Sequence, residues 1–426
     1  MKKYELKNIS VKKRKSLLKR KAISPIIVND TVSHICNDVK QKGLKAAIDY
    51  AYKIDSFSSK NIYVTQKEFD EAEKLLSVDV KLAIKEAYKN IYKFHKLQLP
   101  KKYSIETVSG VKCERKFIPV ENVGLYIPAG TAPLPSTMLM LGIPAQIAGC
   151  KRVVVASPTK DKINPAILYA AKLCELKEFI KIGGPHGISL LAYGDKDFKK
   201  VDKIFGPGNQ FVTAAKNLVN ADPEGCPIDM IAGPSELLII ADKFANSDFI
   251  ASDLLSQAEH GKDSVVILLT NSNDLFEKVN LSLIKQIKSL PRKGFIKQAL
   301  KNSFCLIVEN LDLAFNFSND FAPEHLIVNI KNSKKYLDKI INAGSVFVGD
   351  FTPESAGDYA SGTNHSLPTY GFARSTGGVS VEMFMKGVTF QSITKNGIKR
   401  LSKTIITLSE TESLQAHAEA IRVRLK

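Results

Sequence analysis

The chain has 426 residues, 44% apolar and 24% charged, an ordinary globular balance with length for two to three domains. Its formal charge of +18 is concentrated at the start, where ten of the first 21 residues are Lys or Arg and only Glu5 is acidic. No apolar run nears the roughly 20 residues of a membrane span, no secretory leader is evident, and six scattered cysteines without CxxC spacing argue against a cysteine zinc site. Such cysteines suit reduced thiols, so a cytoplasmic location is expected.

Residues 1–24 read as a basic, helical arm. Lys12-Lys13-Arg14-Lys15 interrupts an apolar pattern of Leu6, Ile9, Leu17 and Leu18, as an amphipathic segment with a solvated face does. No aromatic-interleaved basic groove, helix-turn-helix or zinc-finger spacing accompanies the charge, so nucleic acid is not an expected partner. Residues 35–52 and 67–97 carry apolar side chains at helical spacing, and Pro100 stops the pattern. From about residue 115 short β-branched runs alternate with helical stretches. Strands are predicted at 152–156, 179–182, 204–205, 236–241, 264–270 and 305–308, with helices at 165–176, 188–193, 211–219 and 247–260. This alternation predicts an α/β protein with parallel sheets covered on both faces.

Active groups are then expected in loops after the carboxyl ends of strands. The loops 127–137, 183–187, 206–209, 232–235 and 361–365 are rich in Gly, Pro and small polar residues. Gly206-Pro207-Gly208-Asn209 before a helix reads as a cradle for a pyrophosphate or carboxylate. Tight strand-to-helix turns use the same residues for steric reasons alone, and neither GxGxxG nor a Walker A loop is present.

Four of only seven histidines stand beside carboxylates or a carboxamide: Gln257 to His260, Glu324-His325, Asp358 with His365, and Glu412 to His417. Each has a plainer reading. Gln257/His260 could be surface polarity, Glu324 the first turn of a helix after Pro323, Asp358 and His365 turn formers, and His417 an exposed polar residue. If they share a site, Gln257, His260, Asp358 and His417 offer an amide oxygen, two imidazoles and a carboxylate, a set suited to Zn²⁺ or Mn²⁺. Glu324 and His325 are then the natural proton-transfer pair.

Several stretches together resemble the histidinol dehydrogenase family. They are Asn122-Val-Gly-Leu-Tyr-Ile-Pro128, Asp202-Lys-Ile-Phe-Gly-Pro-Gly-Asn209, Ile228-Asp-Met-Ile-Ala-Gly-Pro-Ser-Glu236, Ser252-Asp-Leu-Leu-Ser-Gln-Ala-Glu-His260, Phe321-Ala-Pro-Glu-His-Leu326 and Ser355-Ala-Gly-Asp-Tyr-Ala-Ser-Gly-Thr-Asn-His365. The resemblance runs from about residue 20 to the C-terminus. It implies two incomplete Rossmann-like domains with parallel sheets, small helical N- and C-terminal segments, and a homodimer. The expected division is an arm 1–24, a first domain of 25–125 and 236–378, a second of 126–235 on the cofactor side, and a dimerisation segment 379–426.

The implied activity is oxidation of L-histidinol to L-histidine through the aldehyde, with one zinc per subunit and two NAD⁺. Position by position, Gln257, His260, Asp358 and His417 match zinc ligands that also meet substrate, and Glu324 and His325 the acid–base pair. Ser235, His325, His365 and Glu412 match substrate contacts, with Glu412 and His417 implied to come from the partner subunit. Tyr126 and Asn209 match cofactor contacts. His186 stands where the family usually has a cofactor-touching Gln, Ala129 where Gly is usual, and Ile231 where Pro is usual. The weighed alternatives are a dehydrogenase of a sulfonated diol on the same fold, and an idle or nucleic-acid-associated protein.

Overall fold

The computed structural model describes residues 1–20, 25–59, 61–129, 132–231 and 233–426, with side chains from residue 30 onward in the helix beginning at Pro25. Residues 21–24 of the expected arm, 130 and 131 of the loop 127–137, and Ala232 of 232–235 lie outside the described residues.

Two parallel sheets carry the fold. The larger has six strands in the order Lys2–Glu5, Phe304–Ile307, Val265–Thr270, Glu236–Ala241, His325–Asn329, Ser345–Val348. Its central strands are apolar runs buried on both faces, as parallel sheets require. Leu237, Ile239, Val266 and Leu268 pack on the helices Ser247–Ala258, Asn273–Gln286 and Lys293–Asn302. Alternate residues Leu238, Ile240, Ile267 and Leu269 face Phe315, Phe317 and Phe321 of Leu311–Phe321. The alternation follows from the two-residue strand period.

The smaller sheet has four parallel strands, in the order Glu178–Ile180, Arg152–Ala156, Asn122–Tyr126, Lys203–Phe205. One face packs on the helices Gln66–Leu75, Val78–His95, Pro135–Ala148 and Pro165–Leu173, the other on Pro25–Ile54, Gly184–Tyr193 and Gln210–Ala221. The helices of residues 25–95, expected with the six-stranded sheet, thus pack on the four-stranded one, which also takes residues 122–125 as a strand. Burial decides this: Val32, Val39 and Ala47 meet Ile188, Leu190 and Val212. Chain order gave no hint of that partner.

Three further local differences have simple causes. The expected helix 67–97 breaks at Leu76, because Ser77 caps a new helix by accepting from the Val80 N–H at 3.3 Å. The arm opens with a strand, Lys2–Glu5, that extends the six-stranded sheet, while Leu6, Ile9, Leu17 and Leu18 cover the core beside it. The C-terminal segment is not only helical: Met385–Ile393 pairs antiparallel with Val111–Pro119, which pairs with Tyr103–Val108. Phe384, at the root of that ribbon, stacks on Phe205 with centroids 3.8 Å apart in full burial. Truncating such a ring costs about 3–5 kcal/mol.

The segment 364–370 seams the two sheets together. Asn364 Nδ2 donates to the Met140 carbonyl at 2.7 Å, Gly233 N–H to Thr369 Oγ1 at 2.6 Å, and Tyr370 N–H to Glu236 Oε1 at 3.1 Å. Beyond the antiparallel ribbon, the helices Lys395–Thr411 and Gln415–Leu425 form a hairpin packed mainly on itself. No helix among the described residues is long and apolar enough to cross a membrane.

Candidate active site

A cleft of about 670 Å³ lies between the carboxyl edge of the four-stranded sheet and the amino edge of the six-stranded one. On the first side, the loop at Pro128 follows the strand Asn122–Tyr126, and Gly206 to Asn209 follows Lys203–Phe205. These strands are adjacent although their neighbours wind in opposite directions, the switch point at which open α/β sheets take ligands. Gly206 adopts φ +126°, and a Cβ there would stand 2.2 Å from the Tyr126 carbonyl oxygen, so only glycine fits. The side chains of Lys216 and Asp229, 3% and 1% exposed, hold this glycine. Lys216 Nζ donates to its carbonyl at 2.7 Å, and Asp229 Oδ2 accepts its N–H at 2.8 Å. Asn209 then caps Gln210–Ala221, accepting from the N–H groups of Phe211 and Val212.

On the second side the expectation of loops after strand carboxyl ends fails. Ser235, Glu324 and His325 all stand at the amino ends of strands, and His260 lies in the loop leading into Val265–Thr270. Glu324-His325 enters the strand His325–Asn329, not a helix. The helix Ser247–Ala258 runs back from the far edge, so Gln257 arrives at its C-terminal end. It stops before His260, but a His260 N–H to Gln257 C=O bond of 3.3 Å continues the turn and keeps the two side chains together.

His325 is held firmly. Its Nδ1 faces the Glu236 carbonyl at 3.2 Å and so donates to it, leaving Nε2 as the unprotonated nitrogen. That Nε2 is buried with no hydrogen-bond partner among the described residues, and lies 3.7 Å from Asp358 Oδ1. Burial pushes the imidazole down to about 3, so the ring is neutral near neutrality. Glu324 Oε2 accepts the Glu236 N–H at 2.7 Å and lies 3.6 Å from His325 Nδ1. Burial, with Glu236 and Asp358 adding to it, holds Glu324 well above the usual carboxylate range against that hydrogen bond.

The metal-capable groups sit beside this pair. His260 Nε2 is 3.9 Å from Asp358 Oδ2, and ligand atoms of His260, Glu354 and Asp358 all lie within 4.8 Å of one another. Burial raises Asp358 to about 6. Glu354 was missed from sequence, although it stands four residues before Asp358 on the helix Glu354–Tyr359 and therefore shares its face. Turned to satisfy its surroundings, the Gln257 amide nitrogen donates to Glu354 Oε2 at 3.1 Å, leaving the carbonyl oxygen for another partner. Asp253, one turn earlier than Gln257, is also buried, and desolvation pushes it up to about 7. Such clustered carboxyl groups, raised chiefly by burial, are stabilised in their ionised form by any nearby cation.

His365 ties the two sides together. Its Nδ1 donates to the Asp358 carbonyl at 2.9 Å, which leaves Nε2 to accept from Thr137 Oγ1 at 3.1 Å. Ser235, Asn209 and His365 line the cleft with His260, Glu324, His325 and Asp358. Other expected residues are not brought there. Tyr126 is buried behind the cleft, its hydroxyl accepting the Gly184 N–H at 3.4 Å. His186 is fully buried, with Nε2 3.1 Å from Asp55 Oδ2. Glu412 and His417 are exposed on the C-terminal hairpin, outside this cleft.

Parallel α/β sheets meeting over a free imidazole nitrogen, a neighbouring carboxyl group and a cluster of metal-capable side chains have the architecture of an enzyme cleft. Comparison gives its family. Residues 18–425 match the family model described as histidinol dehydrogenase, so the chain belongs to the histidinol dehydrogenase family and is an oxidoreductase of histidine biosynthesis. It is 50% identical over 390 residues to the histidinol dehydrogenase of Pseudoalteromonas translucida, covering 91% of this chain and 90% of the relative. It is 48% identical over 420 residues to that of Campylobacter jejuni, covering 98% of both. The crystal structure of histidinol dehydrogenase from Elizabethkingia anophelis aligns with a TM-score of 0.94 at 47% identity, over 100% of this chain and 98% of that one.

Proposed function

We propose that the cleft oxidises L-histidinol to L-histidine through the aldehyde, with NAD⁺ on the side of the four-stranded sheet and one zinc on the side of the six-stranded sheet. The observation that carries this is His325, with Nδ1 committed to a carbonyl and a free Nε2 in the cleft wall. In the alcohol half, Nε2 takes the hydroxyl proton as the hydride leaves carbon. In the aldehyde half, the Glu324 carboxylate removes a proton from the attacking water. Burial disfavours that carboxylate, and a cation held by Asp358 and His260 would oppose the shift.

The donor set fits zinc: His260, Asp358 and the Gln257 carbonyl are one imidazole, one carboxylate and one neutral oxygen, with Glu354 orienting the amide from behind. When bound, zinc supplies a positive charge that orients an imidazole and an amine, and NAD⁺ supplies the hydride acceptor. In this reading Ser235 and His365, which line the cleft, contact substrate, and Asn209 and the Gly206 turn contact the dinucleotide. Tyr126 and His186 serve the cofactor side from behind, through Gly184 and Asp55. The exposure of Glu412 and His417 supports a homodimer in which each hairpin completes its partner's site. Family membership favours histidinol over the sulfonated diol.

The test is NADH formation by the zinc-loaded protein with L-histidinol and NAD⁺, with histidine quantified at the end. Two NADH per histidine is the expected stoichiometry; absence of turnover with metal bound sinks the substrate assignment. Glu324→Gln should slow the aldehyde half more than the alcohol half, measured by supplying histidinaldehyde directly. Equal losses contradict the water-activating role.

A further inference from the structure

We infer that Arg20 is a positioning residue for the reaction, holding the acid–base pair in register through Glu236; the inference rests on the roles just proposed for Glu324 and His325. Glu236 serves that pair with its backbone alone: its N–H is given to Glu324 Oε2 and its carbonyl to His325 Nδ1. One peptide segment therefore sets both the direction of the carboxyl group and the tautomer of the imidazole. Where that segment sits depends on what holds residue 236.

Its side chain is held by Arg20. The guanidinium donates in parallel, Nε to Oε1 and Nη2 to Oε2, both at 2.9 Å. The pair is nearly dry, with side chains 10% and 2% exposed. The same Nη2 donates to the Ala322 carbonyl at 3.2 Å, and the guanidinium carbon Cζ lies 3.6 Å from the centroid of the Phe321 ring. Ala322, at φ +51°, is the left-handed turn two residues before Glu324. Arg20 thus grips both segments that carry the pair, one through Glu236 and one through Ala322. Tyr370 N–H joins the same carboxylate from the seam.

Arg20 lies 216 residues from Glu236 and 302 from Ala322 in sequence, and no proposed metal or cofactor ligand is among them. Only a planar fork with donors on two edges satisfies Glu236 and Ala322 together. Lysine keeps the charge but not that geometry. Because proton transfer is sensitive to displacements on the order of 1 Å, the inference concerns turnover and not affinity. His260, Asp358 and His365, the residues proposed to meet the substrate from other segments, are not held by Arg20.

The decisive experiment compares Arg20→Ala and Arg20→Lys with the parent as zinc-loaded enzymes, with ethylguanidinium added back. Arg20 lines a separate cavity of about 1110 Å³ beside the N-terminal helix, through which a small guanidinium can reach Glu236. We expect R20A to lose about 10- to 100-fold in kcat while KM for L-histidinol stays within about twofold. Ethylguanidinium should recover at least about fivefold of the loss, and sodium chloride of equal ionic strength none. R20K should lose kcat by at least about fivefold at unchanged KM, and it carries the test should R20A not fold. A folded R20A or R20K that keeps the parent kcat, or an R20A defect that guanidinium does not relieve, overturns the inference. His325→Asn and Glu324→Gln are assayed alongside. Parent-like rates in those variants overturn the acid–base reading itself, whatever Arg20 does.

Discussion

The two parallel sheets offer opposite edges to one cleft, and their chemistry differs accordingly. The carboxyl edge of the four-stranded sheet is followed by helix N-termini, such as that of Gln210–Ala221, whose free N–H groups and positive dipole end favour phosphate. The amino edge of the six-stranded sheet receives helix C-termini instead, such as that of Ser247–Ala258 with Gln257 in its last turn. Its dipole end is negative, as are Glu324, Glu354 and Asp358 when ionised. One edge presents backbone N–H groups, the other carboxyl and imidazole side chains. A single enzyme obtains both by facing the two edges toward each other.

The comparison breaks most readily at His325. His325→Asn keeps a group facing the Glu236 carbonyl but removes the base, and should lower alcohol oxidation by about 10²-fold or more with metal content intact. An unchanged steady-state rate, with metal measured by atomic absorption, would mean that the amino edge supplies no base. Gly206→Ala tests the opposite edge. Its Cβ cannot coexist with the Tyr126 carbonyl, so NAD⁺ affinity should drop about tenfold, the size of one 1.4 kcal/mol displacement. Titration calorimetry should show zinc binding unaltered; equal damage to both ligands would mean the edges are not separable.

Asp253 gives the smallest effect and the sharpest sign. Its folded value, about 7, lies above the ordinary carboxylate value, so the folded state holds a proton that the unfolded chain has released. Its contribution is fully present below about pH 4 and is lost as pH rises through about 7. For chelator-treated protein, the parent's melting temperature should therefore fall relative to Asp253→Asn between pH 5 and 8. Parallel melting curves across that range would show that Asp253 titrates normally.

Much of this was legible in the sequence. Apolar runs such as 236–241 and 264–270 announced buried parallel strands, and the sparse histidines beside acids marked His260, His325, Asp358 and His365, which do converge. Glu354 was also within reach, given its four-residue spacing to Asp358. Other features were not, because they depend on who packs with whom. Nothing local shows that residues 30–51 cover the four-stranded sheet, that 385–393 pairs with 111–119, or that Glu324 and His325 stand at the amino end of a strand. His186 matched a cofactor-facing position by sequence yet turns inward to Asp55, a partner 131 residues away.

The strand Lys2–Glu5 has a consequence for synthesis. Its partner begins at Phe304, so once made this strand waits for one synthesised roughly 300 residues later. At 5–20 residues per second that interval is about 15–60 s, during which an edge-forming segment has no native neighbour. The lysines at 2, 3, 7, 12, 13 and 15 give the waiting segment like charges, a guard against pairing with the wrong chain.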